Sequence, residues 1–284
     1  MPAEHRIDHI KSLLGKVYDG PYKDQLSQFA EIFISGIDAN ERQKVVVLVH
    51  GIRTQGNWFD TLERRISSLD GVEVHHCKYG FFNSLKFIFS KNWRKTAKEA
   101  VLVNFNLAFN KPENRNKDFY LIAHSFGTYL SAEILKDNPH FQFDKIIFCG
   151  SVVSENYRWD TLKNGPRYPV INECGTNDFY PILAKGLTWT FGASGTTGFH
   201  YAKNRYHDFQ HSDFFADDFY EKFWIPFITE GEHVPSNHSA DRPELAWRIQ
   251  ILSETNGSLY YALLGAIILL AVIIWIIWTI YKLI

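Results

Sequence analysis

Residues 118–133 read DFYLIAHSFGTYLSAE, and no other stretch limits the fold so tightly. An apolar run enters a turn that holds Ala123, Ser125 and Gly127, and Tyr129, Leu130, Ala132 and Leu135 then fall at the spacing of one helix face. A strand that becomes a helix across so short a turn must carry the helix back over its own sheet. The neighbouring sequence repeats the pattern. Over residues 44–229 short β-branched runs alternate with helical stretches, which predicts a mostly parallel sheet flanked by crossover helices, an α/β fold. The expected strands are Lys44–Val49, Val72–Cys77, 119–123, Lys145–Cys149, 170–173 and 199–205.

Composition supports a core of that size. Of 284 residues, 45% are hydrophobic and 16% aromatic, which excludes a natively disordered chain. The 30 Lys and Arg are balanced by 31 Asp and Glu, so no bulk basic charge favours a nucleic-acid partner. Cys77, Cys149 and Cys174 are odd in number, widely spaced and free of C-x-x-C pairs, as reduced thiols in a cytosolic compartment would be. Residues 1–43 carry apolar residues at helical spacing (Ile7, Ile10, Leu13, Leu14, Val17, then Leu26, Phe29, Ile32, Phe33) on either side of Gly20-Pro21. They predict a helical extension with no signal-peptide core.

The C-terminal end has a different character. No residue from 255 to 281 is charged, and residues 259–280 are almost wholly apolar. As a helix rising ~1.5 Å per residue, that run matches a ~30 Å hydrocarbon core. Tyr260, Tyr261, Trp278 and Tyr281 stand near its ends, where aromatic belts form. The expected organisation is therefore a helical extension (1–43), an α/β domain (44–229), a polar tether (230–258) and a transmembrane helix (259–281). The expected arrangement is a tail anchor with residues 44–229 on the cytoplasmic side.

The chemistry of the central domain is read from two turns. Residues 118–133 have the form of a nucleophile elbow, in which Ser125 sits on a strained strand-to-helix turn between the small residues Ala123 and Gly127. Ala123 departs from the first glycine of G-x-S-x-G. Upstream, KVVVLV runs directly into His50-Gly51-Ile52. With the LVHG turn, the AHSFG turn that includes His124, and an acid and a histidine following in that order, residues 44–229 resemble the α/β-hydrolase superfamily of serine esterases and lipases. The resemblance implies Ser125 as nucleophile and an oxyanion hole from the backbone N–H groups of Phe126 and Ile52. It further implies an acid after a later strand, for which Asp178 is preferred over Glu173. The implied base stands on the loop before the last helix, where Ser212 would cap that helix; His211 is preferred over His207.

No cofactor or metal is expected. His207-Asp-Phe-Gln-His211 partly resembles the H-E-x-x-H zinc motif, but its surroundings lack a helical stripe. Gly186, Gly192, Gly195 and Gly198 do not form a G-x-x-x-x-G-K-[ST] cradle and suggest a mobile loop lining the pocket. The expected activity is hydrolysis of an acyl ester through a Ser-His-Asp triad, with anchoring favouring a membrane lipid. Trp58, Phe59, Phe81, Phe82, Phe87, Phe89, Trp189 and Phe191 are candidates for an acyl site. The expected partners are the bilayer and an acyl-ester or lipid substrate, with residues 1–43 or the membrane helix open to a protein partner or a second copy. The alternative is an inactive membrane-tethered binding or signalling module on the same fold.

Overall fold

The computed structural model describes residues 12, 43–51, 57–77, 84–236, 238, 245, 247–254 and 257–283. Nearly all of the 1–43 extension and the expected oxyanion donor Ile52 lie outside these residues. The elements are β1 (Lys44–Val49), α1 (Asn57–Ser67), β2 (Val72–Cys77), α2 (Ser84–Phe89), α3 (Lys91–Asn110), β3 (Asp118–His124), α4 (Phe126–Asp137) and β4 (Lys145–Cys149). They continue with β5 (Ile171–Gly175), α5 (Phe179–Leu187), α6 (Ser194–Thr197), β6 (Lys203–His207), α7 (Asp217–Phe223), α8 (Ile225–Thr229), α9 (Trp247–Ser253) and α10 (Ser258–Leu283).

The six strands form one sheet in the order β2-β1-β3-β4-β5-β6, with every pairing parallel. This is a parallel sheet flanked by helices, consistent with the α/β-hydrolase fold. All six residues of β1 are buried, as a central strand covered on both faces requires. Its alternate side chains divide between two cores. Val45, Val47 and Val49 pack with Val101 and Phe105 of α3 and Leu130 of α4. Val46 and Leu48 pack with Leu62 and Ile66 of α1 and with Phe219, Trp224 and Phe227 at the end of the domain. The connection from β1 runs to β2 on one side, and that from β3 runs to β4 on the other. The strand order thus reverses between β1 and β3, and the crevice at their carboxyl ends is where open α/β sheets bind ligands.

The expected strands agree with those found to within a few residues except at β6, which starts at Lys203 rather than at 199. Gly198 has φ +86°, and Asn204 ties Phe199 into a closed loop by accepting from its N–H at 2.9 Å and donating to its carbonyl at 2.7 Å. Both groups that residue 199 would offer to a sheet ladder are thereby taken.

The stretch expected as a tether also carries structure. Leu245 and Ser253 are buried, and α9 packs on α5. The Gly257 N–H donates to the Lys185 carbonyl at 3.0 Å. At these described residues the segment is docked on the domain. Among the described residues, no helix is long and apolar enough to cross a membrane. Residues 261–275 of α10 are exposed.

Candidate active site

Ser125 lies between β3 and α4 with φ +55° and ψ −130°, the one non-glycine residue with positive φ among the described residues. A backbone held there costs about 1–3 kcal/mol and persists only where its surroundings fix it. The Ser125 N–H donates to the Cys149 carbonyl at 3.0 Å, and the Ser125 carbonyl accepts from Thr128 Oγ1 at 2.6 Å. Gly127 shows why the turn needs small residues. A Cβ there would lie 2.5 Å from the His50 carbonyl oxygen and 2.7 Å from that of Val49, so α4 can start this close to the end of β1 only without a side chain. Ala123 is fully buried at the end of β3, paired in register with Val49. Gly51 is buried against Ser125.

His211 Nε2 is 2.9 Å from Ser125 Oγ, and His211 Nδ1 is 2.7 Å from Asp178 Oδ2. The three side chains therefore form one hydrogen-bonded chain, built from residues 86 and 33 positions apart in sequence. Asp178 is fully buried and serves two structures with its two oxygens. Oδ1 accepts from the Tyr180 N–H at 3.0 Å and caps α5, which leaves Oδ2 for His211. Thr196 Oγ1 donates to the Asp178 carbonyl at 2.7 Å and fixes the backbone of the same residue. The tyrosine ring of residue 180 lies 4.8 Å from the His211 ring. Ser212 does not cap the following helix: a 3-10 turn, Asp213–Phe215, comes first, and Asp213 accepts from the Gln210 N–H at 2.8 Å.

The alternatives Glu173 and His207 pair with each other. His207 Nε2 is 2.9 Å from Glu173 Oε2, Trp224 Nε1 donates to Oε1 at 2.9 Å, and the Arg205 guanidinium forms a two-point ion pair with the same carboxylate. Burial opposes the charged form of Glu173, but Arg205 and His207 outweigh it and hold the carboxyl below its ordinary range. Neither residue is hydrogen-bonded to Ser125. His207 ends β6 and His211 lies four residues on in a loop, so the two rings do not share the helix face that H-E-x-x-H requires.

One supporting residue was not legible in the sequence, and His124 of the AHSFG turn gains a specific contact. Gly150, with φ +54°, passes so close to the site that a Cβ would sit 3.0 Å from both Cε1 and Nδ1 of His211 and 3.3 Å from Asp178 Oδ2. A glycine directly after a buried strand was the available signal. His124 is buried, and its Nε2 is 2.9 Å from the His211 carbonyl, which ties β3 to the loop that carries His211. Burial first, then the nearby His211 ring, push the His124 pKa well down, so the imidazole is neutral. Burial also lowers the pKa of His50, whose Nδ1 lies 2.6 Å from the Gly51 carbonyl.

Of the aromatic candidates, Phe87 and Phe191 are buried around Phe126, with ring centroids 4.8 and 5.1 Å from it, while Phe89 and Trp189 are exposed. Phe81 and Phe82 lie outside the described residues, as do the side chains of Trp58 and Phe59. The glycine-rich stretch expected as a mobile loop is buried instead: Gly192 and Gly195 donate to the carbonyls of Val152 and Ser151 at 2.9 and 2.7 Å.

No family model and no curated protein matches the chain. Solved structures similar to it include the Pyrococcus furiosus esterase Pf2001, 12% identical over 68% of this chain and 83% of that one, with a TM-score of 0.41. A protein described as a YdeN-like hydrolase, from Pectobacterium atrosepticum, is 14% identical over 53% and 72% of the two chains, with a TM-score of 0.33. One structure from the work on the metagenome-derived lipolytic enzymes LipS and LipT is 13% identical over 41% of this chain and 45% of that one, so the chain spans less than half its length; the TM-score is 0.31. These likenesses are too distant to carry chemistry, which rests on the geometry of Ser125, His211 and Asp178.

Proposed function

We propose that the chain is a membrane-anchored serine hydrolase that cleaves acyl esters. The observation that carries this reading is the hydrogen-bonded chain from Ser125 Oγ through His211 to Asp178, at 2.9 and 2.7 Å, on a turn whose backbone is strained at the serine. In the reaction, His211 Nε2 takes the hydroxyl proton as Oγ attacks the ester carbonyl, and returns it to the leaving alkoxide as the C–O bond breaks. Asp178 holds the Nδ1–H tautomer and stabilises the imidazolium. Water, deprotonated by the same imidazole, then cleaves the acyl-serine and regenerates the hydroxyl.

The oxyanion takes the Phe126 N–H, one of the first-turn groups that a helix leaves without an internal acceptor, and a second N–H from Ile52. Each such donor is worth ~3 kcal/mol where measured. The buried aromatic group around Phe126 favours an apolar acyl chain. The exposed apolar surface of α10, together with the uncharged run in the sequence, supports insertion into a bilayer, and a bilayer-resident ester is then the substrate held nearest. Fluorophosphonate labelling of the full chain tests the nucleophile: wild type labels, Ser125→Ala does not, and the variant keeps its fold while losing hydrolysis of short esters. Retained turnover in Ser125→Ala would remove Ser125 from the role.

A further inference from the structure

A cavity of about 670 Å³ lies away from Ser125, between the last turn of α5 and the segment that leads into α10. That volume is in the range of about 300–1,000 Å³ common to small-molecule sites. Its polar lining carries both signs of charge. Lys185 Nζ lies 2.9 Å from Glu155 Oε1, which also accepts from Thr197 Oγ1 at 3.1 Å; His200 adds an imidazole, and Glu254 a second carboxylate, from the opposite wall. Among the described lining residues Leu245 is the one large apolar side chain. Such a wall does not suit an acyl chain. Two carboxylates beside a lysine suit a ligand with both an ammonium and an anion.

The chain places this cavity at a defined level relative to the apolar helix. Ser253 and Glu254 line it, and Gly257, directly before α10, donates to the carbonyl of Lys185 in the opposite wall. Trp189 packs against the same junction. Its indole would meet a Cβ on Gly257 at 2.5 Å, and its ring lies 5.4 Å from that of Tyr261 in the first turn of α10. Trp and Tyr favour the membrane–water boundary, so this pair marks the headgroup level.

We infer that the cavity lined by Glu155, Lys185, His200 and Glu254 binds the zwitterionic headgroup, an ammonium joined to a phosphate, of a phospholipid beside α10. The inference rests on the reading of α10 as the anchor. The ammonium is received by Glu254 and the phosphate by Lys185.

The test has two arms on the full chain. In detergent, glycerophosphoethanolamine should bind saturably, and Glu254→Gln, an exposed position, should weaken it about five-fold, as expected for one partly exposed charge pair. In flotation, the protein should associate more tightly with phosphatidylethanolamine vesicles than with phosphatidylglycerol vesicles, and Glu254→Gln should reduce the difference. No saturable binding, or equal binding by wild type and Glu254→Gln, overturns the site. Binding of the soluble probe without headgroup preference on vesicles overturns the lipid as its source. Failure to float with any vesicle refutes the anchor, and with it the lipid source, while the detergent arm still decides whether the cavity takes this chemistry.

Discussion

Asp178→Asn separates the two functions that one carboxylate performs. Asparagine is as good an N-cap as aspartate, so its amide oxygen can keep the 3.0 Å bond from the Tyr180 N–H, and the loss of negative charge at the start of α5 costs about 0.3–1 kcal/mol. The amide nitrogen then occupies the position of Oδ2, 2.7 Å from His211 Nδ1. An NH₂ group donates, so the imidazole must accept at Nδ1 and carry its proton on Nε2. In that tautomer Nε2 has no lone pair for the Ser125 proton, although the ring has not moved. A serine triad altered in this way loses about 10⁴ in kcat, or ~5.5 kcal/mol of transition-state stabilisation. The assay is turnover of a short water-soluble ester, with a thermal melt of the same sample. Activity within ten-fold of wild type, in a variant that melts as wild type does, would show that the carboxylate does not set the tautomer. It would refute the mechanism.

Two further outcomes follow from the buried charges. Glu173→Gln leaves Arg205, 1% exposed, without its carboxylate and should cost about 3–5 kcal/mol in denaturant unfolding; an unchanged midpoint would refute the role of that ion pair. Lys145 donates to the Phe227 carbonyl at 2.7 Å, and burial first, then Lys44, bring its pKa down to about 8. Between that value and its ordinary value near 10.5 the unfolded chain binds more protons, so this residue makes stability rise with pH across that interval. Relative to wild type, Lys145→Met should lose the rise, and superimposable stability profiles from pH 8 to 10.5 would refute it.

Much of the sheet was legible because parallel strands buried on both faces are written as unbroken β-branched runs, as in KVVVLV, and the strained turn at Ser125 was legible because such a turn needs small residues at fixed offsets. The described part of 230–258 makes contacts that its polarity does not announce. The docking of that segment depends on a few contacts, Leu245, Ser253 and the Gly257 N–H to the Lys185 carbonyl, none of which leaves a periodic trace. The start of β6 was misplaced because Asn204 satisfies the backbone of Phe199 through a side chain, which hydrophobic pattern does not record. Gly150 was passed over because its constraint is a distance to His211, 61 positions away in sequence.

The choice between His207 and His211 shows where sequence reading stops. The chain contains two histidine–carboxylate pairs, Glu173 with His207 and Asp178 with His211, separated by five residues on one side and four on the other. Residue types alone cannot assign them, since each offers an acid and an imidazole in the order a triad requires. Their surroundings do. Glu173 lies within β5 and His207 at the end of β6, adjacent parallel strands, so they meet inside the sheet layer with Arg205 and Trp224 and have no route to Ser125. Asp178 and His211 lie beyond the carboxyl ends of the same two strands, where the loops are free to turn toward β3. The inner pair has a consequence for the outer one. It holds β6 against β5 up to the point where the His211 loop departs, and Thr176 Oγ1, donating to the His207 carbonyl at 3.1 Å, continues that clamp along the β5 side. The same pair of strands therefore supplies both the histidine held in the sheet layer and the one hydrogen-bonded to Ser125, and which is which depends on whether the ladder has ended.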